Sequence, residues 1–227
     1  MSFFLGFDRS EYPGDDFMRS LKSQSQVSWT GFYLAPAPSH SDTSWMQNRA
    51  FLQDLGFGFA PIYVGQQQLP GPGSHVLTTV QGQSDAGEAV DLAQQAGFPR
   101  SSVLYLDIEC GPPATDKLFD YYVAWVQGII DNGYSPGVYC SHLLAAEFLA
   151  RDDRPVPWIF HLKFPNGHTF APPLPMIDPA QSTFNGASMM QYAQNGKLVL
   201  DSTSIRPVDL NSGLVEDPSI KKYAGRI

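Results

Sequence analysis

Positive charge is scarce in this sequence. Its 227 residues hold 14 Lys and Arg against 22 Asp and Glu, for a formal net charge of −8, and the basic residues never cluster. Such a chain lacks the electrostatic footprint for nucleic acid or an anionic membrane surface, so neither is expected as a partner. Cysteine is equally sparse. Cys110 and Cys140 stand alone, with no CxxC and no Cys/His zinc spacing. Both fall at the ends of predicted strands, which leaves a disulfide and two buried free thiols as alternatives. The five histidines (His40, His75, His142, His161 and His168) form neither HxH nor HExxH, so no metal and no cofactor is expected. No apolar run approaches the ~18 residues of a membrane span. The opening MSFFLGFDRS has no basic leader, and its apolar run stops at Gly6. That is too short for a signal peptide.

What is present is alternation. Short apolar runs, FFLGFD, WTGFYLA, FGFAPIYVG, SVLYLDIE, PGVYC, PWIFHLKF, SMMQYA and RPVDLN, are separated by helical patterns or polar loops. That order argues for βα units around a parallel sheet. The first turn, GFDRSEYPG, lacks the GxGxxG spacing of a phosphate loop. One helix is expected in SDAGEAVDLAQQAG, with Asp85 and Glu88 as a capping box, Ala86, Ala89, Ala93 and Ala96 as a small-residue face, and Gly97 as the stop. A second, TDKLFDYYVAWVQGIIDNG, starts at Thr115 or Asp116, buries Leu118, Tyr122, Trp125 and Ile129, and ends at Asn132-Gly133. Weaker helices fit residues 15–23, 44–55 and 142–150, while residues 65–82 and 165–186 read as Pro/Gly-rich loops. The expectation is an α/β fold, a single (β/α)8 TIM-type barrel over residues 1–227 with some helices short or missing.

The strongest chemical signal is SVLYLDIEC. Residues i and i+2 of a strand share a face, so Val103, Tyr105, Asp107 and Glu109 line up, with Leu104, Leu106 and Ile108 on the other side. Both faces are apolar until the end, as in a strand covered on both sides. Two acids at such a tip resist ionising together, which has few structural uses. Reactive groups of parallel barrels sit at the carboxyl ends of strands. There the sequence places Asp8 on strand one, Asp107 and Glu109 on strand four, Gln191 and Tyr192 on strand seven and Asp209 on strand eight. Tyr33, Tyr63, Tyr139 and Trp158 lie in or near the ends of other strands. Carboxylates flanked by aromatics suit a sugar ring, with its polar edge and apolar face. Taken singly, Asp8 and Asp209 could cap turns, and Gln191-Tyr192 could be barrel filling.

Together GFDRS, LDIE, PWIFHLKF, SMMQYAQNG and PVDLN resemble glycoside hydrolase family 25, the bacterial and phage muramidases (lysozymes). The stretch GQSDAGEAVDLAQQAGFPRSSVLYLDIE is similar to a sister group, glycoside-hydrolase-like domains of unknown function. Met190 stands where muramidases usually have Trp, and the loop after strand three is long and Pro-rich. The resemblance implies an acidic groove that cuts peptidoglycan, with Glu109 as general acid, its pKa raised by burial and by Asp107. Asp107 would then stay ionised to stabilise the oxocarbenium-like transition state, or would orient a substrate N-acetyl group. Asp8 and Asp209 would line the groove. The alternatives are a carbohydrate-binding barrel that no longer cuts, and a different hydrolase or lyase. An enzyme of this kind without a leader would be made in the cytoplasm and reach the wall by a leaderless secretion apparatus or on lysis.

Overall fold

A computed structural model describes residues 3–200 and 205–221. Its elements in chain order are β1 (Phe4–Asp8), α1 (Asp15–Gln24), β2 (Val27–Tyr33), α2 (Arg49–Asp54), β3 (Gly58–Val64), α3 (Thr79–Gln95), β4 (Val103–Asp107), α4 (Asp116–Asp131), β5 (Ser135–Ser141), α5 (Ala145–Arg151), β6 (Val156–Phe160), β7 (Thr169–Phe170), a 3-10 turn at Pro179–Ser182, β8 (Met189–Val199) and β9 (Ile205–Gly213). Strands β1 to β6 pair side by side in parallel and β6 pairs in parallel with β8. The ring is closed by β9, which runs antiparallel to both β8 and β1. This is a closed eight-stranded mixed barrel of the TIM type, with β7 outside the ring against the far end of β8.

The reversed strand corrects the all-parallel reading. Only residues 200–204 separate β8 from β9, and a parallel return needs a crossover of a dozen or more residues. A short connection can only make a hairpin. The crossover from β6 to β8 likewise carries no α-helix, only β7 and the 3-10 turn.

The helices differ from expectation at their starts. Thr78, whose hydroxyl accepts from the Gln81 N–H, caps α3, so the helix begins six residues before Asp85 and no capping box forms at Asp85 and Glu88. Asp85 is instead buried mid-helix, accepting from Gln66, Gln81 and Tyr121. The alanine face is buried as read. It lets α4 approach closely: a Cβ on Gly128 would lie 2.6 Å from the Ala86 methyl. Thr115 caps α4, and positive-φ Gly97 and Gly133 follow α3 and α4. In the 44–55 segment only Arg49–Asp54 is helical. Trp45 precedes that helix in a turn, buried with its Nε1 donating to the Arg9 carbonyl at 3.0 Å.

Inside the barrel, aromatic rings are matched by glycines. Trp29, Tyr105 and Tyr139 all pack edge-on against Trp158, at centroid distances of 5.6, 5.7 and 5.3 Å. A Cβ on Gly6 would collide with the Trp29 indole, and one on Gly137 with the Tyr105 ring. Gly31 makes the corresponding room one layer higher, where a Cβ would fall 2.5 Å from the Asp8 Cβ and 2.8 Å from Ile62 Cδ1. Gly31→Ala is therefore expected to destabilise the fold by about 1–3 kcal/mol, the range for overpacking. Gly87 on α3 has nothing within 4 Å of such a Cβ. Gly87→Ala should stabilise by up to about 1 kcal/mol through helix propensity. Thermal midpoints of the two variants against wild type check both signs.

Candidate active site

At the carboxyl ends of β1 to β6 the barrel mouth narrows to a pocket of about 30 Å³ lined by Asp8, Asp107, Glu109 and Asp209 together with Tyr33, Ile62, Tyr139, Trp158, Gln191 and Gln194. The four acids read from the sequence thus come together, from three strands and one loop. Asp8 and Asp209 face each other across the antiparallel β1–β9 ladder. Asp209 therefore reaches the mouth from within a descending strand, not from the carboxyl end of a parallel one. Glu109 lies two residues beyond the end of β4, exposed at the rim.

Two hydrogen-bond relays hold two of the carboxyls. Trp158 Nε1 donates to Asn211 Oδ1 at 3.0 Å, and Asn211 Nδ2 donates to Asp8 Oδ2 at 2.7 Å. The other Asp8 oxygen accepts from the Tyr33 hydroxyl at 3.0 Å. Tyr139 donates to Gln191 Oε1 at 2.8 Å, and Gln191 Nε2 donates to Asp209 Oδ2 at 2.8 Å. The second Asp209 oxygen accepts from the Asn195 N–H at 2.7 Å. Asp107 has no such support: its Oδ1 is buried and has no hydrogen-bond partner.

These surroundings decide where protons reside. Burial, and then the Asp209 charge, push Asp8 up to about 8 despite the donors from Asn211 and Tyr33. Burial pushes Asp209 up to about 6, held back by Asn195 and Gln191. Asp107 is raised well above the carboxylate range, by burial first and then by Glu109, Asp8 and Asp209. Glu109 is raised as well, by partial desolvation of its carboxyl although the residue stands at the rim. Asp107 is the deeper acid and its buried Oδ1 has no hydrogen-bond partner, so burial disfavours its charged form.

A second cavity of about 290 Å³ adjoins the first and includes Cys110, Ser141 and Phe160 in its lining. Glu109, Tyr139 and Gln194 line both cavities and form the wall between them. Trp158, only 1% exposed, is the floor of the acid pocket.

Two residues expected to bind substrate lie elsewhere. Tyr63 faces the helices, donating to Glu88 Oε2 at 2.5 Å and stacking on Trp125. Tyr192 faces outward and donates to the Pro175 carbonyl at 2.9 Å. Each neighbours, in its strand, a residue that does reach the pocket, Ile62 and Gln191, so strand alternation excludes them. The same alternation turns Met190 away from the groove, fully buried. Asn211 went unassigned although it stands two residues after Asp209, the spacing that singled out Asp107 and Glu109. Gln194 carried no signal of its own. Cys110 and Cys140 are both buried and unpaired. Among the described residues no three His, Cys, Asp or Glu are grouped to hold a metal ion, and no helix is long and apolar enough to cross a membrane.

Carboxyls whose folded pKa values lie above their unfolded values near 4 bind protons more tightly in the native state. Stability is then greatest below the unfolded values and falls as pH rises through about 6 and about 8, the values of Asp209 and Asp8. The thermal midpoint should be several degrees higher near pH ~5 than near pH ~8.5. Asp8→Asn should flatten that slope and raise the midpoint at the alkaline end. A midpoint that climbs with pH over this window would contradict the assignment.

None of the curated proteins compared matches this chain. Among solved structures, the Tat-secreted protein Rv2525c of Mycobacterium tuberculosis, in complex with L-tartrate, is similar at 16% identity and TM-score 0.61, over 94% of this chain and 95% of that one. A bacterial lysozyme from Streptomyces coelicolor is similar at 15% identity and TM-score 0.60, over 95% and 94%. The modular autolysin LytC of Streptococcus pneumoniae is similar at 16% identity and TM-score 0.64, over 92% of this chain and 46% of that one. At such identities the likeness is one of fold. The family is set by the sequence itself: residues 19–208 match the model of the Rv2525c-like, glycoside hydrolase-like domain, and the chain belongs to that family.

Proposed function

We propose that this chain is a glycoside hydrolase of the muramidase kind, acting on bacterial cell-wall peptidoglycan with Glu109 as general acid. One observation carries the reading: Glu109 lines both cavities, beside a buried acid whose Oδ1 has no hydrogen-bond partner. A glycosidic oxygen spanning the two cavities would meet the Glu109 carboxyl, whose pKa desolvation raises in the direction a proton donor needs. Asp107 lies on the same face, one alternation deeper. In its ionised form, its proton passed to the Glu109 carboxylate once Glu109 has protonated the leaving oxygen, it would stabilise the positive charge on the sugar. Asp8 and Asp209 hold the polar edge of the ring, with Tyr33, Tyr139, Trp158 and Gln191 as the surrounding wall. A lysozyme and an autolysin among the similar structures support the substrate class, the autolysin also having been solved with a synthetic peptidoglycan ligand. The Tat-secreted relative supports action outside the cytoplasm.

A second reading, a barrel that binds glycan without cutting it, is favoured by the size of the acid pocket. About 30 Å³ holds a water or two and not a pyranose ring. Mass spectrometry of products from purified peptidoglycan separates the two readings, since only the first generates new reducing ends.

In the enzyme, Glu109→Gln keeps size and hydrogen bonding but removes the proton. Turnover should fall by about 10²–10⁴-fold, the usual contribution of general acid catalysis. The thermal midpoint should hold or rise, because the amide removes the desolvation cost that raises the Glu109 carboxyl. A folded Glu109→Gln protein with near-normal turnover would remove Glu109 from the role.

A further inference from the structure

Glu109 shares the face of Asp107 although β4 has already ended, and something must keep the chain extended there. Val64 and Asp107 are the last paired residues of the β3–β4 ladder. On the β5 side the Ile108 N–H still donates to the Tyr139 carbonyl at 3.0 Å. On the β3 side the backbone turns away into a loop, and a side chain takes its place. Gln67 Nε2 donates to the Asp107 carbonyl at 2.8 Å, and the Glu109 N–H donates to Gln67 Oε1 at 2.9 Å. The two partners fix the amide's orientation, one being an acceptor and the other a donor.

That pattern, one amide bonded to the carbonyl before Ile108 and the N–H after it, is how a strand residue bridges a parallel neighbour. The Gln67 side chain therefore acts as a surrogate peptide, carrying the ladder two residues past the end of β3. Gln67 is 1% exposed, and its own backbone is tied down. Its N–H donates to the Ser74 carbonyl at 2.7 Å, and its carbonyl lies 2.9 Å from His75 Nδ1.

The glutamines on either side do related work. Gln66 Nε2 donates to Asp85 at 3.1 Å and its Oε1 accepts from the Val76 N–H at 3.0 Å, fastening the loop to α3. Gln68 Nε2 donates to the Pro113 carbonyl at 2.9 Å and its Oε1 accepts from the Thr115 N–H at 2.7 Å, fastening it to the start of α4. Three successive amides, each donor and acceptor, thus lock the β3 loop to both sides of the Glu109 segment.

We propose that Gln67 is a positioning residue for Glu109, holding its carboxyl over the acid pocket by extending the sheet where the strand has stopped. This rests on the reading of Glu109 as the proton donor, but its first test does not. Facing Glu109 are Asp8 from β1, Asp107 from β4, Tyr139 from β5 and Asp209 from β9. In Gln67→Ala the 109 segment is freed from β3, so the Glu109 carboxyl should leave those groups for water. Carboxyl NMR titration should show its pKa falling toward the ordinary glutamate value of about 4.3. Exchange of the Glu109 amide hydrogen should quicken about tenfold or more. A folded Gln67→Ala protein with neither change overturns the proposal. Gln67→Met, of similar length but with neither donor nor acceptor, serves if the alanine variant does not fold.

The second test reads catalysis. On peptidoglycan, kcat should fall about 10²-fold, the scale for a catalytic group displaced by about 1 Å, with KM within about twofold. A dinitrophenyl glycoside, whose leaving group needs no proton, should lose far less. Equal loss on both substrates would assign Gln67 a structural role only. A wild-type protein that cuts neither substrate would sink the hydrolase reading, while the titration and exchange would still decide the place of Gln67.

Discussion

A carboxyl group placed where water does not reach must either be given hydrogen-bond donors or keep its proton, and the barrel mouth is organised around that constraint. Asp8 and Asp209 sit opposite each other in adjacent strands, an arrangement that costs stability if both are charged. Each is given two donors, and those donors recruit others behind them, down to the indole of Trp158 at the floor. Asp107, reaching the same pocket from β4, has a buried Oδ1 with no hydrogen-bond partner, and burial raises it well above the carboxylate range. The unequal provision spreads the acids' proton affinities, with Asp209 pushed up to about 6, Asp8 to about 8 and Asp107 well above the carboxylate range. The room needed for Asp8 comes from the bare α-carbon of Gly31.

Much of this was legible in the sequence because period-2 patterning carries it. The DxE spacing on β4 put two acids on one face, and the strand-end aspartates were found from the same logic. The errors came from reading proximity to a strand end without parity: Tyr63 and Tyr192 are each one residue out of phase with the pocket. The reversed strand could be read from length, since no crossover fits between β8 and β9, but the VDLN motif was placed by analogy with its parallel neighbours. The glutamine run had no legible signal. A glutamine in a loop after a strand looks like solvent-facing polarity, and its role depends on β4 continuing one step further than β3, a difference in strand lengths that no local pattern encodes. The α3 start at Thr78 was missed for a related reason, as the capping residue lies inside a stretch that composition marked as loop.

The fold that the chain shares with a lysozyme, an autolysin and a Tat-secreted mycobacterial protein persists at 15–16% identity. What the fold requires is modest: alternation of apolar and small residues along eight strands. The aromatic and glycine pairs inside the barrel, such as Trp29 with Gly6 and Tyr105 with Gly137, fix total volume more than identity, so many combinations fill the same space.

Closing the ring with β9 has a consequence for how the chain reaches its native state. Asp8 and Asn211 are bonded across a separation of 203 residues, and β1 has no partner on its outer edge until β9 arrives. Before that, β1 and β8 each present an open row of backbone donors and acceptors, the surfaces on which strands of different molecules pair. Forming so distant a contact requires ordering nearly the whole intervening chain first, which slows folding. During synthesis from the amino end, seven parallel strands would wait on the ribosome as an unsealed, twisted sheet, and the acid pocket would be the last thing to exist. A chain interrupted anywhere before β9 would therefore lose the groove entirely and gain two adhesive edges.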